Sequence, residues 1–213
     1  DCLLSRGLGD VYKRQERPFP ENASMSATPI VQLLTPVDHT TAKGAQKEVL
    51  DKALKQVGFI PNTYANMANA PAVLDTYLHG YGLFRNESGL KSVEQEVVFL
   101  AVSQVNDCKY CTAAHSMIAD KVSGVPADVL KAIREHGPIP DPRLAVLHAT
   151  TTEMVQTHGR PTSQTVKAFL AAGYSERDLL YIVLAIAVKT LSNFSNHAFA
   201  TELDEKFAAY KVA

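Results

Sequence analysis

The chain of 213 residues, 46% hydrophobic and 20% charged with a formal net charge of -1, has the composition of a globular protein of one domain or two tightly packed halves. Near-neutral charge offers no pull toward nucleic acid or an anionic membrane surface, and Glu, Lys, Asn or His interrupts each apolar run before the roughly 18 residues that a membrane span needs. Three cysteines, two of them at Cys108 and Cys111, are too few and too uneven for a secreted disulfide framework and point to a reducing, cytoplasmic setting.

Residues 1–24 have neither a periodic apolar face nor the apolar stretch of a signal peptide. The run Asp10-Val11-Tyr12-Lys13-Arg14-Gln15 is what a transposon end used in sequencing libraries encodes. The segment therefore reads as a non-native leader, with Met25 as the natural start and Cys2 set aside. Residues 25–213 read as a single helical domain.

From Thr41 onward the apolar spacing is helical and no stretch alternates as a strand does, so the expected class is all-α. Ala42 to Val57 carries one apolar stripe and stops at Gly58, a left-handed cap, with Phe59 to Asn62 as a loop. Pro71 opens a helix to about Phe84, before a breaker at Asn86 to Leu90. Ser92 and Gln95 make a capping box for the apolar helix through Val97, Val98, Leu100, Ala101 and Val105. Asp107 caps a helix from Cys108 to about Val122, closed by Gly124 and Pro126.

A helix from Pro126 to His136 then ends at Gly137, and Asp141 caps another from Pro142 to about His158. A short helix ends at Gly173, Ser175 caps Glu176 to about Leu191, and Asn196 to Tyr210 forms the last helical segment. Setting Glu94 on Glu176, Glu96 on Asp178, Phe99 on Tyr181 and His115 on His197 gives two related helix-turn-helix halves, a thiol-bearing one at about 42–136 and a degenerate one at about 137–213. Chance likeness between two apolar helices gives the same matches. Asn193 and His197, opposite the motif in the second half, read as structural residues in preference to remnants of a second site.

Chemistry concentrates in Cys108-Lys109-Tyr110-Cys111-Thr112-Ala113-Ala114-His115, whose cysteines and histidine share one helical face. A helix first turn favours the thiolate, which lowers the thiol pKa. The imidazole of His115 is placed to accept a thiol proton, and Glu96, on the preceding antiparallel helix, to orient it or to take the proton through a water. Once a peroxide oxidises one thiolate to sulfenic acid, the other thiol can condense with it to a disulfide. Two blander readings stand beside this one. The cysteines can be small buried hydrophobes, or Cys108, Cys111, His115 and Glu96 can be zinc ligands, although no second Cys or His pair completes a structural site. Tyr64, Tyr77, Tyr81 and Phe84 are read as core in preference to the wall of a pocket for an organic hydroperoxide, with Tyr77, Tyr81 and Phe84 forming one buried stripe.

Glu96, the Cys108-Lys109-Tyr110-Cys111 motif and His115 together resemble the signature of the AhpD-like alkylhydroperoxidases within the carboxymuconolactone decarboxylase family. Ile60-Pro61-Asn62 and Asn196-His197 extend the likeness over about Phe59 to Phe207. The resemblance implies an all-helical fold assembled as a homo-oligomer, a trimer or hexamer. It implies reduction of a hydroperoxide, or return of electrons to a peroxiredoxin partner, with a thiol or dithiol as electron donor and no metal or organic cofactor. It also implies Cys111 as the peroxidatic thiol nearest the relay, Cys108 as its more exposed disulfide partner, and Glu96 and His115 as the relay. Tyr110 departs from the best-known members, which place a histidine there, and a phenol of pKa about 10 is a poor base, so Tyr110 is at most an auxiliary hydrogen-bond donor. The family's decarboxylases lack the cysteine pair, which weighs against lactone decarboxylation. That activity, a non-catalytic redox sensor and a zinc-binding interaction module stand as alternatives.

Overall fold

A computed structural model of the protein describes residues 29–212, so the expected leader lies outside the described residues. Among these the chain is all-α, with nine α-helices and no strand. Helix α1 (Gly44–Val57) ends as expected at Gly58, whose φ of 81° lets its N–H reach the Leu54 carbonyl. Helix α2 (Asn62–Met67) replaces much of the expected loop. Its first N–H, that of Asn62, donates to the Asp204 carboxylate at 3.1 and 3.2 Å, a partner far along the chain that no local pattern announces. Helix α3 runs from Pro71 to Glu87, three residues beyond the expected end.

Helix α4 (Ser92–Val105) begins where expected but with a different cap. The Lys91 N–H donates to Glu94 Oε2 at 2.7 Å, while Gln95 is turned inward and donates to the Arg85 and Leu90 carbonyls at 3.0 Å each, tying down the turn from α3. Helix α5 (Lys109–Ile118) starts one residue late, because Asp107 is left-handed (φ 51°) and Cys108, not Asp107, takes the cap position. A π-helical turn, Ala119–Ser123, carries the chain to Gly124.

Helices α6 (Ala127–Arg134), α7 (Pro142–Gln156) and α8 (Ser163–Ala171) follow the expected order. The Asp141 cap is present, accepting from the Arg143 and Leu144 N–H groups at 2.9 Å each. The left-handed stops fall partly on histidines, with His136 and His158 both at φ 55°.

The largest correction concerns the C-terminal region. Helix α9 runs unbroken from Glu176 to Phe199, so the second half has one continuous helix where a helix-turn-helix and a separate segment from Asn196 were expected. Ser192 and Ser195 do not break it because their hydroxyls donate back to the Lys189 and Leu191 carbonyls at 3.0 and 2.7 Å. The helix stops at left-handed Ala200, and only Glu205–Tyr210 is helical beyond it, as a 3-10 turn. By length and composition α9 could cross a membrane, contrary to the expectation that polar residues interrupt every such run. Here it packs against α3 and α4 and carries Lys189, Asn193 and Asn196 into the interior.

Helix α4 is enclosed on all sides, from Glu94 to Ser103, at the centre of a core built on Phe84, Phe99, Leu100, Leu147 and Ile182. A second cluster, including Leu50, Tyr64, Leu74, Leu78 and Val188, joins α1, α2, α3 and α9. The close approach of α3 to α9 depends on Gly80, where an added Cβ would lie 2.8 Å from Val188 Cγ2. Val188 is buried and β-branched, with little rotamer freedom to yield. Gly80→Ala is therefore expected to lower stability by about 1–3 kcal/mol in urea titration, overpacking outweighing the gain in helix propensity. A raised urea midpoint would show that the two helices separate easily.

Candidate active site

The sulfur pair sits where α5 begins. Asn106 Nδ2 donates to Asn193 Oδ1 at 2.9 Å, His197 Nε2 lies 3.3 Å from the Asp107 carbonyl, and the Cys108 N–H donates to the Ser103 carbonyl at 2.9 Å. Helix α9 thus pins the turn that presents the thiols, a structural role for Asn193 and His197.

Both cysteines are free and both are buried, Cys108 at 1% and Cys111 at 2% exposure, so Cys108 is not the more exposed of the two. Asn196 Nδ2 points between them, 3.2 Å from Cys111 Sγ and 3.8 Å from Cys108 Sγ, and the Cys111 thiol faces Ser192 Oγ at 3.7 Å. A hydrogen bond from the Cys111 thiol brings the Cys108 pKa down to about 7 against the resistance of burial, helped by the Cys111 backbone N–H, the Lys189 charge and the Asn196 amide. Burial, and then its hydrogen bond to Cys108, pushes Cys111 up. The two thiols therefore share one proton near neutrality, with the charge resting on Cys108, whereas the helix-start reading expected both to be lowered.

The direction of this titration is testable. Thiolate absorbance in the ultraviolet is expected to rise with pH through a midpoint of about 7. Asn196→Ala should move that midpoint upward, because the amide stabilises only the charged form. A midpoint at the ordinary thiol value in the unaltered protein would refute the shared-proton arrangement.

Glu96 and His115 meet as the sequence led one to expect, His115 Nδ1 standing 2.8 Å from Glu96 Oε2. The other Glu96 oxygen is bound by Arg85, which also donates to the Tyr81 hydroxyl at 2.6 Å and lies over the Tyr81 and Phe99 rings. Burial resists ionisation of Glu96, but His115 and Arg85 outweigh it and hold the carboxyl below its usual range. Burial and the Lys189 charge push His115 down despite Glu96, which leaves a neutral imidazole at pH 7. With its proton on Nδ1 toward the carboxylate, Nε2 is the basic nitrogen. Among the described residues no direct hydrogen bond joins His115 to Cys111; they meet on the wall of a common cavity.

That cavity measures about 230 Å³ and includes Tyr64, Tyr77, Tyr81, Cys111, His115 and Lys189 in its lining, so three of the expected core aromatics also form its wall. Cys108 lies outside the lining. Tyr110 borders the cavity, but its hydroxyl donates to Asp204 and accepts from the Thr63 N–H at 3.5 Å, and burial pushes its pKa up. It fastens α5 to the C-terminal segment and does not reach the relay. Glu96, already engaged at both oxygens, is not disposed to bind zinc, and among the described residues no group of three metal-ligating side chains assembles.

Arg85, Lys189 and the thiol contacts of Ser192 and Asn196 escaped the sequence reading. One signal was present. Lys189 is the sole Asp, Glu, Lys or Arg between Asp178 and Glu202, a single charge in the middle of an apolar helix.

Residues 71–152 match the model of the carboxymuconolactone decarboxylase family, a span containing Arg85, Glu96, Cys108, Cys111 and His115 but not Lys189 or Asn196. A search among curated proteins gives no match. The fold is similar to that of the alkylhydroperoxidase AhpD core of an uncharacterized peroxidase-related protein from Ralstonia eutropha JMP134, at 18% identity and a TM-score of 0.68, covering 87% of this chain and 96% of that one. The debrominase Bmp8, in complex with 2,3,4-tribromopyrrole, aligns at 16% identity and a TM-score of 0.70, over 86% of this chain and 97% of its own. A peroxidase-related protein from Silicibacter sp. TM1040 aligns at 19% and 0.63, over 89% and 97%. At these identities the structural likeness establishes the fold alone. Residues 71–152, which hold the thiol pair with Glu96 and His115, thus match the carboxymuconolactone decarboxylase family, within a fold like that of the AhpD core.

Proposed function

We propose that the protein is a thiol-dependent peroxidase that reduces a small hydroperoxide through Cys111 and Cys108. The observation that carries this reading is a pair of free thiols held on either side of the Asn196 amide, one of them on the wall of an apolar cavity beside the Glu96–His115 pair. In the first step the Cys111 thiol gives its proton to the Cys108 thiolate, and the Cys111 sulfur attacks the terminal peroxide oxygen. The O–O bond breaks, Cys111 becomes a sulfenic acid, and the alkoxide takes a proton from solvent through His115, which Glu96 orients. In the second step Cys108 attacks the sulfenic sulfur, forming the disulfide and releasing water. A thiol or dithiol donor, or a peroxiredoxin partner, then returns two electrons and two protons. Assembly as a trimer or hexamer and a cytoplasmic location complete the proposal.

The test is consumption of an organic hydroperoxide by the purified protein with a dithiol reductant, together with the Cys111→Ser variant. Turnover in the unaltered protein and its loss in the variant are expected. Peroxide left unconsumed, or equal turnover in the variant, would overturn the reading. The tyrosine wall favours a second use of the same dithiol, because a flat halogenated ring suits such a surface and Bmp8, of similar fold, is a debrominase. Halide release from a bromopyrrole under the same conditions would reveal it.

A further inference from the structure

Lys189 is 1% exposed, placed at mid-helix in α9, and lines the cavity together with Cys111, His115 and Ser192. A buried ammonium normally has a carboxylate beside it, because an uncompensated charge in an apolar interior is costly. Glu96, the buried acid of the site, is already committed to Arg85 and His115. Among the described residues no carboxylate forms an ion pair with Lys189; its recorded partner is the Phe99 ring, 5.7 Å from the ammonium. The thiolate at Cys108 supplies some counter-charge, but Cys108 does not line the cavity.

A second group is also unpaired. Thr63, 6% exposed and in the lining of the same cavity, has a hydroxyl with no hydrogen-bond partner. Of the buried side chains with an unpartnered polar atom, Thr63 is the one that lines this cavity, so its hydroxyl is available to a bound molecule. The remaining wall is mostly aromatic and aliphatic, including Phe59, Tyr64, Tyr77 and Met117. At about 230 Å³ the cavity falls below the roughly 300–1,000 Å³ of sites for larger ligands, so a compact body fits and a long acyl chain does not.

We infer that this cavity binds a small organic anion, an aromatic or short aliphatic carboxylate whose acidic group pairs with Lys189 and whose apolar body lies against the tyrosine wall. This deepens the peroxidase reading by naming its substrate class, a hydroperoxide bearing a carboxylate. It rests on that reading for the redox step alone, since the binding itself needs no turnover. Lys189 then selects the substrate and turns it relative to Cys111, while its charge also favours the thiolate that the reaction consumes.

The experiment is calorimetric titration of the reduced protein with benzoate, phenylacetate and hexanoate, each against its uncharged amide, repeated with Lys189→Met. At least one carboxylate should bind at least about tenfold more tightly than its amide, and that preference should vanish in the variant. Carboxylates that bind no better than their amides, or not at all, would overturn the inference on the unaltered protein, whether or not the variant folds. It fails equally if the preference survives Lys189→Met, or if the substitution only raises the midpoint of thiolate titration, which would make the lysine a counter-ion to sulfur alone. A carboxylate preference without peroxide turnover would remove the peroxidase reading and leave the anion site standing.

Discussion

Arg85→Met is expected to destabilise the protein by about 3–5 kcal/mol, well beyond the effect of Glu96→Gln, because it strands a charge that cannot reach water. The Glu96 side chain is 0% exposed, and the Arg85 side chain is 18% exposed at the edge of the same pair. Losing Glu96 leaves a guanidinium that still donates to Tyr81 and Gln95 and has a path to solvent. Losing Arg85 leaves a carboxylate with only His115. Urea denaturation of the two single variants and of Arg85→Met combined with Glu96→Leu measures the asymmetry, and the double variant should recover part of the loss, since a wholly apolar pair strands no charge. The pH dependence has a definite sign. The Glu96 pKa is held below its ordinary 4.5, so its contribution is present above that value and is lost as pH falls through the lower folded one. In Arg85→Met the loss should begin at higher pH. Equal costs for the two single variants would show that Glu96 escapes by taking up a proton.

The parts of the site legible in the sequence are those that one helix fixes by its own geometry. Cys108, Cys111 and His115 follow from spacing along α5, and Glu96 from an acid embedded among Val97, Val98 and Phe99. Arg85, Asn196 and Lys189 were not legible because their roles arise only when α3 and α9 pack onto α4 and α5, and sequence spacing carries no record of that register. The same holds for Tyr110, which reads as a group next to the thiols until Asp204 draws its hydroxyl away. Local rules failed in a consistent way at the ends of helices. The helix expected to stop at about Leu191 continues because Ser192 and Ser195 satisfy themselves against the preceding turn, and Asp107 looks like a cap but gives that place to Cys108. The Cys108 assignment matters most, because it puts one sulfur at the helix cap and the other inside the first turn, and the two thiols cease to be equivalent.

That inequality produces the sharpest expectation, which concerns the order of events at sulfur. Acidity and access point to different cysteines: Cys108 carries the lowered pKa, while Cys111 lines the cavity. If Cys108 serves as base for Cys111, removing either thiol should abolish turnover, but in different ways. In Cys108→Ser the Cys111 thiol keeps its raised pKa without an adjacent thiolate to take its proton. Sulfenic acid should then form on Cys111 about 10²–10⁴ times more slowly at pH 7, the range assigned to a general base, and speed up as pH rises. In Cys111→Ser the Cys108 thiolate survives, with the serine hydroxyl as donor, but lies behind the wall and should not be oxidised. Mass spectrometry after dimedone trapping separates the two, since the label is expected on Cys111 in the first variant and is not expected on Cys108 in the second. Label on Cys108 of Cys111→Ser at the rate of the unaltered protein would reverse the assignment. Peroxide would then have to reach the cap of α5 by a path other than this cavity, and Cys111 would become the resolving thiol.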